Sequence, residues 1–152
     1  MPPVIEFLPL PVAAADVAAL AELLLDCVAG GASLGFMADL TPAEARAYWE
    51  KIAADAAVGP KRVLVARAGG QIVGSVQLTP ETRANGRHRA EVQKLLVLRA
   101  WRQQGTGRAL MTALEAEARR LDLALLFLDT SEGRGGARAF YERLGYEACG
   151  GI

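Results

Sequence analysis

The sequence has 152 residues, of which 52% are hydrophobic and 22% charged. The 17 basic and 17 acidic side chains cancel, which argues against a nucleic acid or an anionic membrane as a partner. The length and composition are typical of one globular domain with a sizeable core, so we expect a single domain over residues 1–152.

The sequence shows no sign of a targeting or membrane segment. No apolar run is long enough to cross a bilayer, and the start "MPPVIEFLPLP" lacks the basic region of a signal peptide. Two cysteines, Cys27 and Cys149, do not make a disulfide framework and are expected to be free thiols. These features predict a cytoplasmic protein.

The first part of the chain predicts a strand followed by a helix. The segment "VIEFLPL" (residues 4–10) is typical of a strand. Apolar side chains recur at helical spacing over residues 16–29, which predicts an amphipathic helix. We expect Asp16 to be the N-cap of this helix, with Gly30 just after its end.

A second helix and a hairpin follow. The stretch Thr41-Pro42-Ala43-Glu44 has the spacing of a capping box, with proline at the first helical position. The helix that it opens is expected to end before Gly59. The segments "RVLVAR" and "IVGSVQL" flank Gly69 and Gly70, which predicts a β-hairpin with a Gly-Gly turn.

The rest of the chain adds two strands and two helices. "AEVQKLLVL" (residues 90–98) predicts a long strand, and "ALLFLDT" (residues 124–130) predicts a strand buried on both faces. Between them lies a helix whose apolar stripe is Leu110, Leu114, Ala118 and Leu121. "GGARAFYERLGY" predicts a short helix closed by Gly145. The order β-α-α-β-β-β-α-β-α indicates a mixed α/β fold, with a parallel, right-handed unit over residues 90–130.

Two glycines, Gly105 and Gly107, stand between the long strand and the third helix. Free backbone N–H groups at a helix N-terminus bind anions, and glycines let a bulky anion such as a pyrophosphate reach them. Arg102 and Arg108 would add positive charge. The alternative is a tight turn that needs glycine for its own geometry.

Two known phosphate-binding loops do not match this segment. The P-loop requires a lysine after its second glycine, and no lysine follows either glycine here. The dinucleotide fingerprint requires a third glycine at the place of Leu110. Binding of NAD stays open as a minor alternative, with Asp129 in the role of the ribose-binding acid.

A third pattern fits better. Residues 102–107, "RQQGTG", follow the strand valine Val97 and match the R/Q-x-x-G-x-G/A signature of the GCN5-related N-acetyltransferase (GNAT) family. "ARAFYERLGY" resembles the A-x-x-F/L-Y-x-x-x-G-F/Y helix of that family. "GGASLGFMADL" and "NGRHRAEVQKLLVL" closely resemble the same segments of a family member that acetylates a β-lactam amino acid. The resemblance runs nearly from end to end.

The resemblance implies a mixed, splayed β-sheet flanked by helices, with acetyl-CoA in the wedge between "KLLVL" and "ALLFLDT". The pantetheine arm would pair with the backbone at Leu96, Val97 and Leu98 as an added strand does, and the N–H near Val97 would point at the thioester carbonyl. The residues that would wrap the pyrophosphate are Arg102, Gln103, Gln104, Gly105, Thr106, Gly107 and Arg108.

The chemistry of such a transfer requires a base, because only a neutral amine attacks a thioester. A carboxylate takes the proton directly or through a water. Glu91, on the strand before the splay, and Asp129, at the end of the neighbouring strand, are the candidates, and the resemblance points to the same pair. Asp129 is alternatively the group that holds the substrate's ammonium. The structural alternative is a solvent-facing strand carboxylate and a turn residue.

The resemblance also assigns the remaining site residues. Tyr141 would hydrogen-bond the leaving sulfur and return a proton to it, unless it serves only to pack the short helix. The acceptor loop would be formed by Ser33, Leu34, Gly35 and Phe36. His88 is the only histidine and lies in a polar loop, so we expect no metal site.

One departure from the family concerns the end of the chain. Family members normally continue past the "YE" strand with a loop and a final strand, whereas this sequence stops at Ile152. We therefore expect a sheet that lacks the final C-terminal strand. An exposed edge invites pairing, so a homodimer is expected.

The sequence predicts an acetyl-CoA-dependent N-acetyltransferase that acts on a small-molecule amine, such as an amino-acid-like antibiotic. Three alternatives stay open: a non-catalytic acyl-CoA-binding module, an NAD(P)-binding fragment and a protein-lysine N-acetyltransferase. The missing third glycine disfavours the second, and no acidic peptide groove is visible for the third.

Overall fold

The computed structural model describes residues 2–31, 39–81, 88–128 and 137–147. The strands are Val4–Phe7 (β1), Arg62–Ala68 (β2), Gln71–Pro80 (β3), Arg89–Val97 (β4) and Leu125–Phe127 (β5). The helices are Ala14–Ala29 (α1), Pro42–Val58 (α2), Thr106–Arg120 (α3) and Ala137–Arg143 (α4). This order confirms the mixed α/β fold. No helix in these ranges has the length and apolar content needed to cross a membrane.

The five strands form one sheet in the order β1-β2-β3-β4-β5. The first three pairings are antiparallel, and β4 pairs with β5 in parallel, as predicted for the strand-helix-strand unit. Gly69 and Gly70 connect β2 to β3 with φ angles of 56° and 84°. Positive φ at both central residues is the geometry of a tight hairpin turn, so the predicted Gly-Gly hairpin is confirmed.

The sheet is covered on both faces. Successive side chains of a strand point to opposite faces, so Val65 packs with α1 and α2 whereas its neighbour Leu64 packs with α3. On the first face the fully buried side chains include Leu20, Leu23, Leu24, Trp49 and Ile72. On the second face they include Val76, Leu78, Leu110, Met111 and Leu114. The predicted apolar stripe of α3 therefore faces the sheet.

The start of α2 confirms the predicted capping box. The hydroxyl of Thr41 accepts a hydrogen bond from the backbone N–H of Glu44 at 3.1 Å, and the Glu44 carboxylate accepts one from the N–H of Thr41 at 2.9 Å. The reciprocal bonds satisfy two donors that a helix start otherwise leaves without partners. The helix ends at Val58, before Gly59, as expected.

The predicted N-cap of α1 is wrong. The helix begins at Ala14 with Ala13 as N-cap, so Asp16 lies inside the first turn. The carboxylate of Asp16 instead accepts two hydrogen bonds from the guanidinium of Arg67, at 2.9 and 3.0 Å. Arg67 also donates to Glu6 at 2.6 Å, so a single guanidinium joins β1, β2 and α1. Asp16 therefore forms a long-range ion pair with Arg67 and does not cap the helix.

The expectation that the last strand is buried on both faces is also wrong within the described residues. Strand β5 has three residues, and Leu125 and Phe127 are 51% and 38% exposed. Helix α1 packs mainly over β3 and β4. The guanidinium of Arg89 lies over the ring of Phe127, 5.8 Å from its centre. Tyr146, placed by the sequence on a later "YE" strand, belongs to no strand.

A buried carboxylate ties α3 to β2. Glu117 is 5% exposed and accepts two hydrogen bonds from Arg120, both at 2.7 Å, and one from Arg62 at 3.2 Å. The hydrogen bonds from Arg120 are the main reason that the pKa of Glu117 lies below its usual value. The bond from Arg62 adds to this effect, and burial opposes it. The ionised form therefore stabilises the fold above the ordinary glutamate pKa of about 4.3, and this stabilisation is lost as pH falls through the folded-state pKa.

We expect Glu117→Gln to lower the free energy of unfolding at neutral pH by about 1 to 2 kcal/mol, because hydrogen bonds to a charged group are replaced by weaker ones. The difference from the wild type should shrink in acid, where Glu117 itself becomes protonated. Urea denaturation at both pH values measures this. Glu50→Gln, on the exposed side of α2, is the control. An equal difference at neutral and acid pH contradicts the prediction.

Candidate functional site

Strands β4 and β5 pair only at the start of β4. Their register joins Arg89 to Leu125 and ends with Glu91 opposite Phe127, whereas β4 itself continues to Val97. Residues 92–97 consequently have no strand beside them on this side within the described ranges. Glu91 belongs to the last described pair of this register. The wedge expected from the resemblance would also involve residues 129–130, which lie outside the described ranges, so it stays a prediction.

A β-bulge bends β4 just beyond this point. Ser75 of β3 pairs with Leu96 and Gln77 pairs with Gln93, so two residues of β4 lie opposite one residue of β3. One of the two, Lys94, has a φ of 53°, which is unusual for any residue but glycine. A bulge turns a strand and increases its local twist. The sequence carries no glycine here, and the bulge was not predicted.

The backbone of Val97 faces the wedge. The N–H of Leu98 donates to the Val73 carbonyl of β3 at 2.9 Å, and neighbouring residues of a strand direct their backbone groups to opposite edges. The carbonyl of Val97 accepts hydrogen bonds from the Cys27 thiol at 3.4 Å and from Arg102 Nε at 3.3 Å, both on the side away from β3. Of the predicted contacts Leu96, Val97 and Leu98, Val97 is the one whose backbone points into the wedge.

Cys27 lies on the buried side of α1, next to this carbonyl. Its thiol is buried, and Arg102 also donates to its sulfur at 3.8 Å. Burial raises the pKa of Cys27, although the charge of Arg102 opposes the rise. The thiol therefore keeps its proton and acts as a donor that fixes the Val97 carbonyl. This confirms a free cysteine at position 27, whereas Cys149 lies outside the described residues.

The turn after β4 presents free backbone donors. Gln103 and Gly105 have φ angles of 63° and 85°, and Gly105 is the N-cap of α3. No side chain of the described residues caps this helix start, so its first N–H groups are available. The side chains of Arg102 and Arg108 are exposed beside it. The positive end of the helix dipole and these donors together form an anion-binding geometry.

The two glycines of this turn serve different purposes. A Cβ on Gly105 would meet nothing within 4 Å, but its φ of 85° is one that side chains disfavour. A Cβ on Gly107 would lie 3.3 Å from the ring of Phe140, so the absence of a side chain there lets α4 pack against the start of α3. The alternative that glycine is needed for the turn's own geometry is therefore supported at Gly105.

Tyr141 lies on α4 beside this turn. Its ring packs edge-on against Phe140, 5.2 Å between ring centres, and against Tyr146, 5.8 Å. Burial raises the pKa of Tyr141 to about 12, so the hydroxyl is protonated at neutral pH. Within the described part of the chain no hydrogen bond involves this hydroxyl.

Glu91 belongs to a polar network on the face covered by α1 and α2. Its neighbours Ala90 and Val92 pack with α3, so Glu91 and Gln93 point to the opposite face. Gln93 Nε2 donates to Glu91 Oε1 at 3.1 Å. Lys61 Nζ donates to three oxygens, those of Thr79 at 2.7 Å, Gln93 at 3.0 Å and Gln77 at 3.1 Å. We call these five residues the Lys61 network.

Sequence reasoning missed every member of this network except Glu91. The available signal was the alternation of polar residues in otherwise apolar strands, Gln77-x-Thr79 on β3 and Glu91-x-Gln93 on β4. These positions lie directly opposite each other across the two strands. A cavity of about 320 Å³ adjoins the network, with Lys61 and Thr79 in its wall.

Several predicted site residues lie outside the described ranges. They are the second candidate base and the acceptor loop: Asp129, Ser33, Leu34, Gly35 and Phe36. Within the described ranges, Glu91 and Val97 lie near opposite ends of β4, and the turn before α3 follows Val97. Tyr141 lies on α4, which packs against the start of α3. His88 is exposed, and its carbonyl accepts hydrogen bonds from the N–H groups of Ala124 and Leu125.

The architecture is similar to that of several solved structures. A transcriptional regulator from Bacillus halodurans C-125 is 26% identical, with a TM-score of 0.73 over 99% of this chain and 96% of that one. The ribosomal-protein-alanine N-acetyltransferase from Brucella melitensis is 26% identical, with a TM-score of 0.72 over 97% and 86%. Glucosamine-6-phosphate N-acetyltransferase from Arabidopsis thaliana is 14% identical and shares the fold, with a TM-score of 0.68 over 99% and 95%.

Residues 34–146 match the model of the acetyltransferase (GNAT) family. The chain belongs to this family and is an N-acetyltransferase. The family resemblance of the "RQQGTG" segment is thereby confirmed. Members of the family generally use acetyl-CoA as the acetyl donor.

We expect Gly105→Ala to destabilise the protein by about 1 kcal/mol, because the left-handed conformation disfavours any Cβ even where space is open. Gly105→Asn should recover part of this loss, since asparagine tolerates that conformation better. Urea denaturation of the three proteins measures the difference. Equal stability of all three would contradict the conformational explanation.

Proposed function

We propose that the protein transfers the acetyl group of acetyl-CoA to the amine of a small molecule, by direct attack of the amine on the thioester. The observation that supports the proposal is the placement of three features on β4 and on the segment that follows it. These are the carboxylate of Glu91 at the last described pair of β4 with β5, the backbone of Val97 directed away from β3 and the uncapped start of α3. The residues present fit the donor that the family generally uses.

The chain supplies two kinds of contact for this donor. The Val97 backbone, flanked by Leu96 and Leu98, offers a strand edge for the amides of the pantetheine arm. The turn of residues 102–108 offers N–H groups and two guanidinium groups for the pyrophosphate. When bound, the donor supplies an activated acetyl group as a thioester. The N–H near Val97 is the proposed donor to the thioester carbonyl, as in an oxyanion hole.

The reaction needs a group that removes a proton from the attacking amine. Glu91 is half-buried at the mouth of the wedge, and the amide of Gln93 holds one of its oxygens. A fixed carboxylate in this place accepts the proton directly or through a water. Asp129 is proposed as the second acidic group, either as an alternative base or as the partner of the acceptor's ammonium.

The leaving thiolate needs a proton in return. A thiol has an ordinary pKa of about 8.5, and a hydroxyl donor near the sulfur makes it a better leaving group. Tyr141 is proposed for this role. Its pKa of about 12 keeps its proton in place throughout the pH range of an assay.

The proposed acceptor is a small, amino-acid-like amine. Segments 30–40 and 85–98 closely resemble those of the tabtoxin-resistance acetyltransferase, which acts on a β-lactam amino acid, so an antibiotic such as tabtoxinine-β-lactam is the first candidate. The loop Ser33, Leu34, Gly35 and Phe36 would contact it.

Two alternative functions are distinguished by the same experiment. One is a non-catalytic acyl-CoA-binding module. The other is a protein N-acetyltransferase acting on lysine, for which the name of the similar Brucella melitensis enzyme gives a reason to include protein amines. A cytoplasmic homodimer without nucleic-acid or membrane partners remains part of the proposal, with the exposed face of β5 as the surface for the second copy.

We expect acetyl-CoA to raise the melting temperature, and CoA release, followed with a thiol reagent, to require an added amine. The panel should contain amino-acid-like β-lactams, free amino acids, amino sugars and lysine peptides. Release with one small-molecule class supports the proposal. Release with peptides alone favours a protein acetyltransferase. A thermal shift without release for any amine indicates a binding module.

We expect Tyr141→Phe to lower kcat by about tenfold or more, because the aromatic packing remains and only the proton donor is lost. The KM for acetyl-CoA should change little. Tyr146→Phe is the matched control, since Tyr146 belongs to the same ring cluster and its hydroxyl donates to Glu115 instead. Steady-state kinetics of both variants provide the comparison. An unchanged kcat in Tyr141→Phe would show that Tyr141 is not the proton donor and contributes only to packing.

A further inference from the structure

We propose that Lys61 is a positioning residue for acetyl transfer, which holds the amide of Gln93 so that its NH₂ group stays on Glu91. The proposal rests on the proposed function, since it explains how the carboxylate of Glu91 is kept in one place. Lys61 acts on Glu91 indirectly, through the side chain of Gln93, which is hydrogen-bonded to both.

The chemistry of an ammonium group decides the orientation of Gln93. An ammonium has three donors and no acceptor, so it contacts only the oxygen of an amide. Lys61 Nζ donates to Gln93 Oε1 at 3.0 Å, which leaves the NH₂ end to donate to Glu91 Oε1 at 3.1 Å. A flipped amide would set two donors against each other at Lys61 and two acceptors against each other at Glu91.

Thr79 supplies a second constraint on the same amide. Its hydroxyl accepts from Lys61 at 2.7 Å, and its own proton is then directed to Gln93 Oε1 at 2.8 Å. Two donors therefore converge on the Gln93 oxygen. Thr79 lies directly opposite Glu91 on the neighbouring strand, so Thr79, Gln93 and Glu91 are all fixed in the sheet, and Lys61 lies immediately before β2.

Lys61 orients a second amide in the same way. It donates to Gln77 Oε1 at 3.1 Å, and Gln77 Nε2 donates to the hydroxyl oxygen of Tyr48 on α2 at 3.1 Å. Gln77 is 1% exposed, so its orientation has no help from solvent. One cation thus sets the direction of two amides that join α2, β3 and β4.

The ammonium of Lys61 is held without a direct ion pair. All three of its hydrogen-bond partners are neutral, and within the described ranges no carboxylate lies within ion-pair distance of it. Burial lowers the pKa of Lys61, although Asp55 and Glu91 lie near enough to oppose the effect, while Lys51 and Lys94 add to it. An apolar side chain would avoid this cost but would leave the buried oxygen of Gln77 without its donor, so Lys61 both satisfies the network and orients it.

The test is a double-mutant cycle between Lys61 and Gln93. Lys61→Met removes the donors and keeps the length of the side chain, and Gln93→Leu removes the amide that transmits the effect. Each single variant should lower kcat about tenfold, the effect expected from loosening a hydrogen bond to a charged group, with the KM for acetyl-CoA unchanged. The double variant should be no slower than either single one, because both changes break the same connection.

Two further variants separate orientation from folding. Lys61→Arg keeps a donor-only cation and should restore much of kcat, which a loss of packing would not predict. Lys51→Met, an exposed lysine paired with Asp55, should leave the kinetics unchanged. Thermal unfolding shows which variants are folded, and where Lys61→Met is not, Gln93→Leu and Lys61→Arg carry the comparison.

A second readout does not depend on activity. In ¹⁵N-labelled protein, the side-chain NH₂ signals of Gln93 should shift in Lys61→Met and keep their positions in Lys51→Met. Unshifted Gln93 signals, or a double variant whose loss equals the product of the single losses, would overturn the positioning role. The proposed function fails separately, if Glu91→Gln transfers acetyl groups as fast as the wild type.

Discussion

The candidate site depends on the edge of β4 that lies beyond its last described pair with β5, Glu91 with Phe127. Backbone groups in a sheet need hydrogen-bond partners, and on the β5 side β4 has none from Val92 to Val97 among the described strands. The carbonyl of Val97 meets this need with the Cys27 thiol and the Arg102 guanidinium. A strand edge kept open in this way accepts an extended ligand as a further strand.

The open edge and the anion-binding turn are parts of one stretch of chain. Val97 ends β4, and Gly105 begins α3 after a short turn, so a ligand that follows the strand edge arrives at the start of the helix. The bulge at Lys94 bends β4 beside the same edge. The proposed donor site thus consists of a strand edge, a turn and a helix start that are consecutive in the chain.

The sequence predicted what depends on near neighbours along the chain. The capping box at Thr41, the Gly69-Gly70 hairpin and the order of the elements rest on local spacing, and all are confirmed. The errors arise where the structure depends on contacts between residues that are distant in the sequence. The carboxylate of Asp16, expected to cap α1, binds Arg67 instead, and β5, expected to be buried, is exposed. The Lys61 network is of the same kind, because its members come from β3, β4 and the residue before β2.

The two faces of the sheet differ in character, because the α3 face is mainly an apolar core and the opposite face carries the Lys61 network. The α3 face carries two buried polar residues, Thr106 and Glu117, and the charge of Glu117 is satisfied by Arg62 and Arg120. The opposite face carries Gln77 in its middle, almost without exposure, which costs free energy unless each polar atom is bonded. Lys61 satisfies that requirement and orients the amides at once. The side chains that orient Glu91 in the proposed mechanism therefore lie mainly on β3 and β4.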